Sequence, residues 1–182
     1  MREIALHLLD IAENSVAAGA TRVEMLIDED LTGDRLKIVV HDNGRGMDAV
    51  TAAQVVDPFY TSRTTRKVGL GLPLFKAAAE ACNGCLRLTS KVGQGTRVEV
   101  EFQRSHIDRL PLGDLTATML QLVVGQPEVN WVLHYTVDDK SFIFDDAPIK
   151  AELAGIPLTE PAVLGFLREM FQEGIVSVMS DA

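Results

Sequence analysis

The sequence of 182 residues predicts an α/β (α+β) two-layer sandwich, in which helices cover one face of a mixed β-sheet. Two observations lead to this fold class. Apolar residues recur with helical period over residues 3–17 and again over 69–82. Between and after these two segments, short stretches alternate between apolar and polar residues, which predicts strands. The hydrophobic content of 47% is enough for a buried core, and the length allows one domain with a small extension.

The first elements along the chain are a helix and a hairpin. Gly19 ends the helix of residues 3–17, and residues 21–27 alternate between apolar and polar side chains as a strand does. A turn over residues 31–34 then leads into a second strand at 36–41. We therefore expect these two strands to pair as a hairpin beside the helix.

The next segment contains a polar stretch between two helices. Asp48 is placed to cap a short helix, whereas residues 56–68 are polar without a clear period and predict a mobile loop. The helix of residues 69–82 tolerates Pro73 only in its first turn, and two strands at 85–90 and 96–102 follow it. This order predicts a second hairpin in the same sheet.

A domain boundary is predicted near residues 103–113, where Pro111 and Gly113 interrupt the pattern. We therefore divide the chain into a domain at 1–103 and a small C-terminal extension at 104–182. The extension is expected to contain a helix capped by Asp114, a hairpin and a last helix that starts near Pro161.

The charge of the chain is uneven, and this argues against a nucleic-acid partner. Residues 1–103 carry 12 basic and 14 acidic side chains, whereas residues 104–182 carry 5 basic and 12 acidic ones. Because binding to a phosphate backbone needs several Lys or Arg contacts, a protein partner suits the extension better. No apolar run approaches the ~20 residues of a membrane span, so we expect no membrane partner and a cytoplasmic location.

The most informative motif is Asp-Asn-Gly-Arg-Gly-Met at residues 42–47, directly after an apolar strand. One carboxylate beside two glycines gives a fixed hydrogen-bond acceptor next to a backbone that a flat ligand can approach closely. An ordinary turn has the same composition, so the motif alone leaves both interpretations open.

Four further motifs along the chain favour a binding site over an ordinary turn. They are Glu13-Asn14-Ser15 on the first helix, Asp57-Pro58-Phe59-Tyr60, Val68-Gly69-Leu70-Gly71-Leu72, and Gly93-Gln94-Gly95-Thr96. Together with residues 42–47 they resemble the N, G1, F, G2 and G3 boxes of the GHKL superfamily of ATP-binding proteins. This superfamily includes gyrase B subunits, heat-shock chaperone ATPases, sensor histidine kinases and mismatch-repair ATPases. The resemblance covers about residues 2–102 and implies a Bergerat-type ATP-binding fold.

The resemblance also implies which residues bind ATP and Mg²⁺. Asp42 matches the aspartate that accepts a hydrogen bond from the exocyclic amine of adenine, and Asn14 matches the asparagine whose side-chain oxygen binds Mg²⁺. Gly69 and Gly71 precede a helix, where backbone amides and the helix dipole favour phosphate. The other expected nucleotide-binding residues are Gly44, Gly46, Met47, Lys67, Leu70, Leu72 and Thr96.

One departure from the sensor-kinase pattern concerns Lys67, which stands where the first glycine of the G2 box is expected. The cation either contacts phosphate directly or reflects a different geometry of the loop. Arg63 and Arg66 nearby either close over the triphosphate or remain solvated, and the sequence leaves both alternatives open.

Asp10 is the candidate catalytic residue. Glu3, His7, Asp10 and Asn14 fall within about 60° of one another on the first helix, which predicts a polar stripe that faces either the pocket or solvent. Many ATP-hydrolysing relatives have a glutamate four residues before the Mg²⁺-binding asparagine, where this chain has Asp10. The shorter side chain withdraws the carboxylate, so slow or partner-dependent hydrolysis is expected, with His7 and Glu13 as alternative bases.

The sequence therefore favours a stand-alone Mg-ATP-binding protein that hydrolyses ATP slowly or transfers its γ-phosphoryl group to a partner protein. No pair of long helices that would carry a phosphoacceptor histidine precedes the first helix in this sequence. The alternative is a non-catalytic, ATP-controlled switch that binds a protein partner through the extension. A homodimer is also compatible with either function.

Overall fold

The computed structural model describes residues 3–57 and 71–179, which form six helices and six strands. In chain order these elements are α1 (Ile4–Ala17), β1 (Arg22–Asp30), β2 (Arg35–Asp42), α2 (Ala49–Gln54), α3 (Gly71–Glu80), β3 (Cys85–Lys91), β4 (Gly95–Gln103), α4 (Leu115–Gly125), β5 (Asn130–Val137), β6 (Lys140–Asp145), α5 (Asp146–Glu152) and α6 (Pro161–Met179).

The six strands form one mixed sheet in the order β3-β4-β2-β1-β5-β6. All neighbouring strands are antiparallel except β1 and β5, which run parallel from Arg22 beside Asn130 to Glu29 beside Val137. The predicted α/β class and its mixed sheet are thus confirmed. The hairpin of the predicted extension continues this sheet, while the division at residue 104 remains a prediction.

Alternation along the strands places the core between the sheet and the helices. In β1, Val23, Met25 and Ile27 are fully buried, whereas Leu26, which points to the opposite face, is 39% exposed. The helices α1, α3, α4 and α6 contact one another or the sheet and complete the same core. The candidate functional site lies where α1, α3, the last residues of β2 and the first residues of β4 meet.

The predicted helix starts are confirmed at three positions. The Asp48 side chain accepts a hydrogen bond from the Thr51 amide at 2.8 Å and caps α2. Asp114 caps α4 in the same way through Ala117, and α6 begins at Pro161. The helix predicted from residue 69 is described from Gly71 onward, because residues 58–70 lie outside the described part of the chain.

Two sets of contacts connect the C-terminal segment to the first part of the chain. The buried Glu29 carboxylate accepts hydrogen bonds from the Tyr135 hydroxyl at 2.8 Å and from Arg104 Nε at 2.7 Å. In addition, the Ile4 and Ala5 amides, the first of α1, donate to the carbonyls of residues 111 and 112 at 2.9 and 2.8 Å. The C-terminal segment thus provides acceptors for two of the α1 amides that have no partner within the helix.

None of the helices in the described ranges is long and apolar enough to cross a membrane.

Candidate functional site

Asp42, the last residue of β2, is the polar centre of the site. Its side chain is buried, with 5% of the residue exposed, and it accepts three hydrogen bonds from the protein. Ser15 Oγ donates to Oδ2 at 2.9 Å, and the Gly44 and Thr96 amides donate to Oδ1 at 2.8 and 3.3 Å. A carboxylate has about four lone-pair positions, so one position on Oδ2 remains for a ligand.

A cavity of about 540 Å³ lies beside Asp42, within the size range of small-ligand pockets. The apolar side chains of Ile11, Leu72 and Val98 form part of its wall. The other lining residues are Asn14, Ser15, Ala17, Ala18, Asp42, Arg45, Gly46, Met47, Asp48, Thr51, Val55, Leu88, Val92 and Thr96. An apolar slot with one buried acceptor fits a flat heterocycle that carries an amine.

Two glycines are required by the backbone around this cavity. Gly46 has φ +63°, and a Cβ there would lie 2.0 Å from the Lys91 carbonyl oxygen. Gly95 has φ +95°, and its Cβ would lie 1.9 Å from the carbonyl oxygen of Asp42. Gly44 has a different role, because its amide holds the Asp42 carboxylate in place.

Ser90 is a site residue that the sequence analysis missed. Its hydroxyl accepts a hydrogen bond from the Met47 amide at 2.8 Å and lies 2.9 Å from the Thr96 hydroxyl. It therefore ties the loop after β2 to the start of β4. Ser90 lies opposite Thr96 in the pairing of β3 with β4. The sequence does not contain this register, so it could not identify Ser90 as a site residue. Ser15, the donor to Asp42, was quoted in the motif but not assigned a role.

Asn14, which lines the cavity, contacts Asp10, and Asp10 in turn lies against Gly71. The Asn14 amide nitrogen lies 3.4 Å from Asp10 Oδ2, and within residues 3–57 and 71–179 the Asn14 side-chain oxygen has no hydrogen-bond donor. A Cβ on Gly71 would lie 1.7 Å from Asp10 Oδ2, so the start of α3 approaches this carboxylate closely and a larger residue there would displace the Asp10 side chain. Burial raises the pKa of Asp10 and the hydrogen bond from Asn14 opposes that effect.

The polar stripe on α1 does not have a uniform environment. Asn14 is exposed and lines the cavity, and Asp10 is half-buried, whereas His7 is 2% exposed and packs under α3. Glu13, one of the two alternative bases, is exposed and does not line the cavity.

Several predicted site residues fall outside the described part of the chain. These are Lys67, Gly69 and Leu70 of the predicted phosphate-binding set, together with Arg63, Arg66 and residues 58–60.

The residues present fit a magnesium ion that is shared with phosphate. Mg²⁺ prefers oxygen ligands and is usually held by one or two protein groups plus substrate phosphates and water. Asn14 offers one amide oxygen, and no cluster of three or more His, Cys, Asp or Glu side chains within residues 3–57 and 71–179 forms a metal site of its own. The ligand set is thus compatible with Mg²⁺ only together with a phosphorylated ligand.

The fold and this cavity define a nucleotide-binding domain with a Bergerat-type arrangement. A family comparison agrees with that class, since residues 1–106 match the model of the histidine kinase-, DNA gyrase B- and HSP90-like ATPases. The chain belongs to this family, and it therefore carries an ATP-binding domain of the GHKL type.

Relatives and solved structures of similar type were also found. The sensor protein kinase FleS of Pseudomonas aeruginosa is 39% identical over 89 residues, which are 49% of this chain and 22% of FleS. The non-motile and phage-resistance protein of Caulobacter vibrioides is 30% identical over 125 residues, which are 64% of this chain and 15% of that protein. The matches thus span about a fifth or less of these two relatives.

The solved structures support the fold. The Aquifex aeolicus MutL ATPase domain, solved in complex with ADP, is similar with a TM-score of 0.51 at 15% identity, covering 94% of this chain and 70% of that one. The N-terminal domain of a DNA repair protein gives a TM-score of 0.55 at 16% identity, covering 79% of this chain and 52% of the other. At this identity the likeness concerns the fold alone.

Proposed function

We propose that this protein binds Mg-ATP in the cavity beside Asp42 and either hydrolyses it slowly or transfers its γ-phosphoryl group to a partner protein. The observation that carries the proposal is the contact of Asn14, which lines that cavity, with Asp10, and of Asp10 with Gly71. These are a metal ligand, a carboxylate and a helix N-terminus, which are the parts that phosphoryl transfer needs.

Each residue has a separate task in this proposal. Asp42 accepts a hydrogen bond from the adenine amine on the free side of Oδ2, and the fixed Oδ1 keeps the carboxylate in position. The side-chain oxygen of Asn14 binds Mg²⁺, which supplies positive charge to the phosphates when bound. The amide of Gly71 and the positive end of α3 attract the phosphate chain.

Asp10 acts as the base that receives the proton of the attacking water or of a partner's hydroxyl. Its raised pKa makes it a better proton acceptor than an exposed aspartate, and its contact with Gly71 keeps it near the phosphate-binding turn. The short aspartate side chain supports a slow rate, because a misplacement of about 1 Å can cost about a hundredfold.

The test is the fate of γ-labelled phosphate in the wild type, Asp10→Asn and Glu13→Gln. Glu13 is a matched control because it is an exposed carboxylate on the same helix, whereas Asp10 contacts Asn14 and Gly71. Loss of the general base should lower phosphate release or transfer by roughly 10²- to 10⁴-fold and leave the Kd for ADP within about threefold. The Glu13→Gln variant should match the wild type.

Two results would contradict this assignment. If Asp10→Asn retains the wild-type rate, Asp10 is not the base. If the wild type binds Mg-ATP but neither releases phosphate nor labels any protein in a cell extract, the enzymatic part of the proposal fails.

A second candidate function, an ATP-controlled protein-interaction switch, is supported by the contacts between α1 and the C-terminal segment. The helix that carries Asn14 donates its first amides to the carbonyls of residues 111 and 112. A movement of α1 on nucleotide binding would therefore disturb the segment that follows. The acidic surface of that segment suits a protein partner rather than nucleic acid.

The switch is tested by capturing partner proteins from a cell extract with ATP, with ADP and without nucleotide. The Asp42→Asn variant, which is expected not to bind nucleotide, is the control. A partner set that changes with nucleotide only in the wild type supports the switch. An identical set in all conditions contradicts it.

A further inference from the structure

Three hydrogen bonds meet at the Ser90 hydroxyl, beside the cavity. Its oxygen lies 2.8 Å from the Met47 amide nitrogen, 3.0 Å from the Gly95 carbonyl oxygen and 2.9 Å from the Thr96 hydroxyl oxygen. A hydroxyl group has one proton and two lone pairs, so three bonds are the most that it can make. These three partners therefore use the whole hydrogen-bonding capacity of Ser90.

The direction of each bond follows from the chemistry of the partner. The Met47 amide can only donate and the Gly95 carbonyl can only accept, so Ser90 accepts from the first and gives its one proton to the second. Because that proton is in use, the three bonds exist together only if Thr96 donates in the bond between the two hydroxyls. The Thr96 proton is thus directed to Ser90, and the Thr96 oxygen keeps lone pairs for another partner.

Thr96 lies beside Asp42 on the wall of the cavity. Thr96 and Val98 share one face of β4, and both line the cavity. The Thr96 amide also donates to Oδ1 of Asp42 at 3.3 Å. The Ser15 proton is used within the protein as well, by Asp42 Oδ2 or by the Ile11 carbonyl. The side chains of Asp42, Ser15 and Thr96 therefore offer a ligand acceptors and no donor.

We propose that Ser90 is a positioning residue for base selection, which holds the Thr96 proton away from the cavity and so favours a purine with a 6-amine over one with a 6-carbonyl. The inference rests on the proposed function, because it assumes that a purine base lies beside Asp42. An amine donates to the acceptors at this place, whereas a carbonyl oxygen meets other oxygens with no proton between them. Ser90 does not touch the base and acts through Thr96.

The experiment measures the Kd values for ADP and for inosine diphosphate (IDP), in which a carbonyl replaces the adenine amine, and takes their ratio. The variants are Ser90→Ala, Thr96→Val and the double variant. Ser90→Ala removes the acceptor of the Thr96 proton, whereas Thr96→Val removes the proton itself. The matched control is Thr89→Ala, because this neighbouring hydroxyl residue of β3 is exposed and faces the other side of the sheet.

Ser90→Ala should lower the preference for ADP over IDP about three- to tenfold, because the released Thr96 hydroxyl can rotate and form one hydrogen bond to the carbonyl of IDP. The effect needs the Thr96 hydroxyl, so the ratio in the double variant should match that in Thr96→Val within about twofold. Thr89→Ala should match the wild type. If Ser90→Ala does not fold, Ser90→Cys replaces it, because a thiol is similar in size and only a weak hydrogen-bonding group.

Two results in the variants would overturn the proposal. An unchanged ratio in Ser90→Ala would show that Ser90 only ties the loop of Met47 to β4, since a loosened loop weakens both nucleotides equally. An equal fall of the ratio with and without the Thr96 hydroxyl would show that the effect does not pass through Thr96. A wild type that binds ADP and IDP equally well would also overturn the proposal while ATP binding stands, and a wild type that binds neither nucleotide would contradict the proposed function and this inference with it.

Discussion

Replacing Asp42 by Asn should remove nucleotide binding while leaving the fold almost unchanged. The Asn side-chain oxygen can take the place of Oδ1 and still accept from the Gly44 and Thr96 amides. The new NH₂ group then faces Ser15 Oγ, which can accept from it because the Ser15 hydroxyl can donate to the Ile11 carbonyl, 3.1 Å away. Every protein hydrogen bond of the site therefore has a replacement.

The ligand does not have such a replacement. In the proposed function, the adenine amine donates to the remaining lone pair of the Asp42 carboxylate, and in the variant an N–H occupies that position. Loss of a buried hydrogen bond to a charged group costs about 2 to 5 kcal/mol. This corresponds to a Kd for ADP that is roughly 30- to 4,000-fold higher.

Calorimetric titration with ADP and thermal unfolding without nucleotide measure the two effects separately. We expect the free energy of unfolding of Asp42→Asn to change by less than about 1 kcal/mol, and that of Asp42→Ala to fall further because its three donors lose their acceptor. A Kd for ADP within threefold of wild type in Asp42→Asn would refute the assignment of Asp42 as the base-reading residue. A large loss of stability in that variant would show that the protein hydrogen bonds of the site are not replaced.

Two further predictions concern stability. Gly46→Ala and Gly93→Ala both place a side chain at positive φ, which costs about 1 kcal/mol. Of these two positions, only Gly46 would bring the new Cβ against a backbone oxygen, so chemical denaturation should show a further loss of about 1 to 3 kcal/mol for Gly46→Ala. Equal losses in the two variants would contradict the clash. Burial has the larger effect on Tyr135 and the hydrogen bond to Glu29 the smaller one, and both raise its pKa above the ordinary value of 10. The stability that the neutral phenol contributes is therefore present below pH 10 and is lost as the pH rises toward the raised pKa. Tyr135→Phe should cost about 1 to 2 kcal/mol at pH 8 and reduce the fall of the unfolding free energy above pH 10; an unchanged alkaline slope would show that Tyr135 does not cause it.

Local patterns predicted the elements and the places of the main site residues because these depend on neighbours in sequence. Asp42 comes at the end of an apolar strand, and Asp48 precedes a short helix, so both positions can be inferred within a few residues. The parallel pairing of β1 with β5 joins residues more than 100 positions apart, such as Arg22 and Asn130. Alternation shows that a strand exists but contains no information about its partner.

Local patterns also do not show which residues of different elements contact one another inside the site. Ser15 contacts Asp42 across 27 residues of sequence, and that contact depends on how α1 crosses the end of β2. His7 was placed correctly on the polar face of α1, but its burial results from Phe75, which approaches from α3. Helical periodicity predicts which side chains share a face, whereas the environment of each side chain is set by the element that packs there.

The position of α1 connects these observations. Its first amides donate to the C-terminal segment, its middle contacts α3 through His7 and Asp10, and Ser15 near its end holds Asp42. A rigid helix of 14 residues transmits a displacement at one end to the other, because its backbone hydrogen bonds are continuous. A nucleotide that moves Asn14 or Asp42 would therefore act on residues 111 and 112 through α1, and a partner bound to the C-terminal segment would act on the site by the same route.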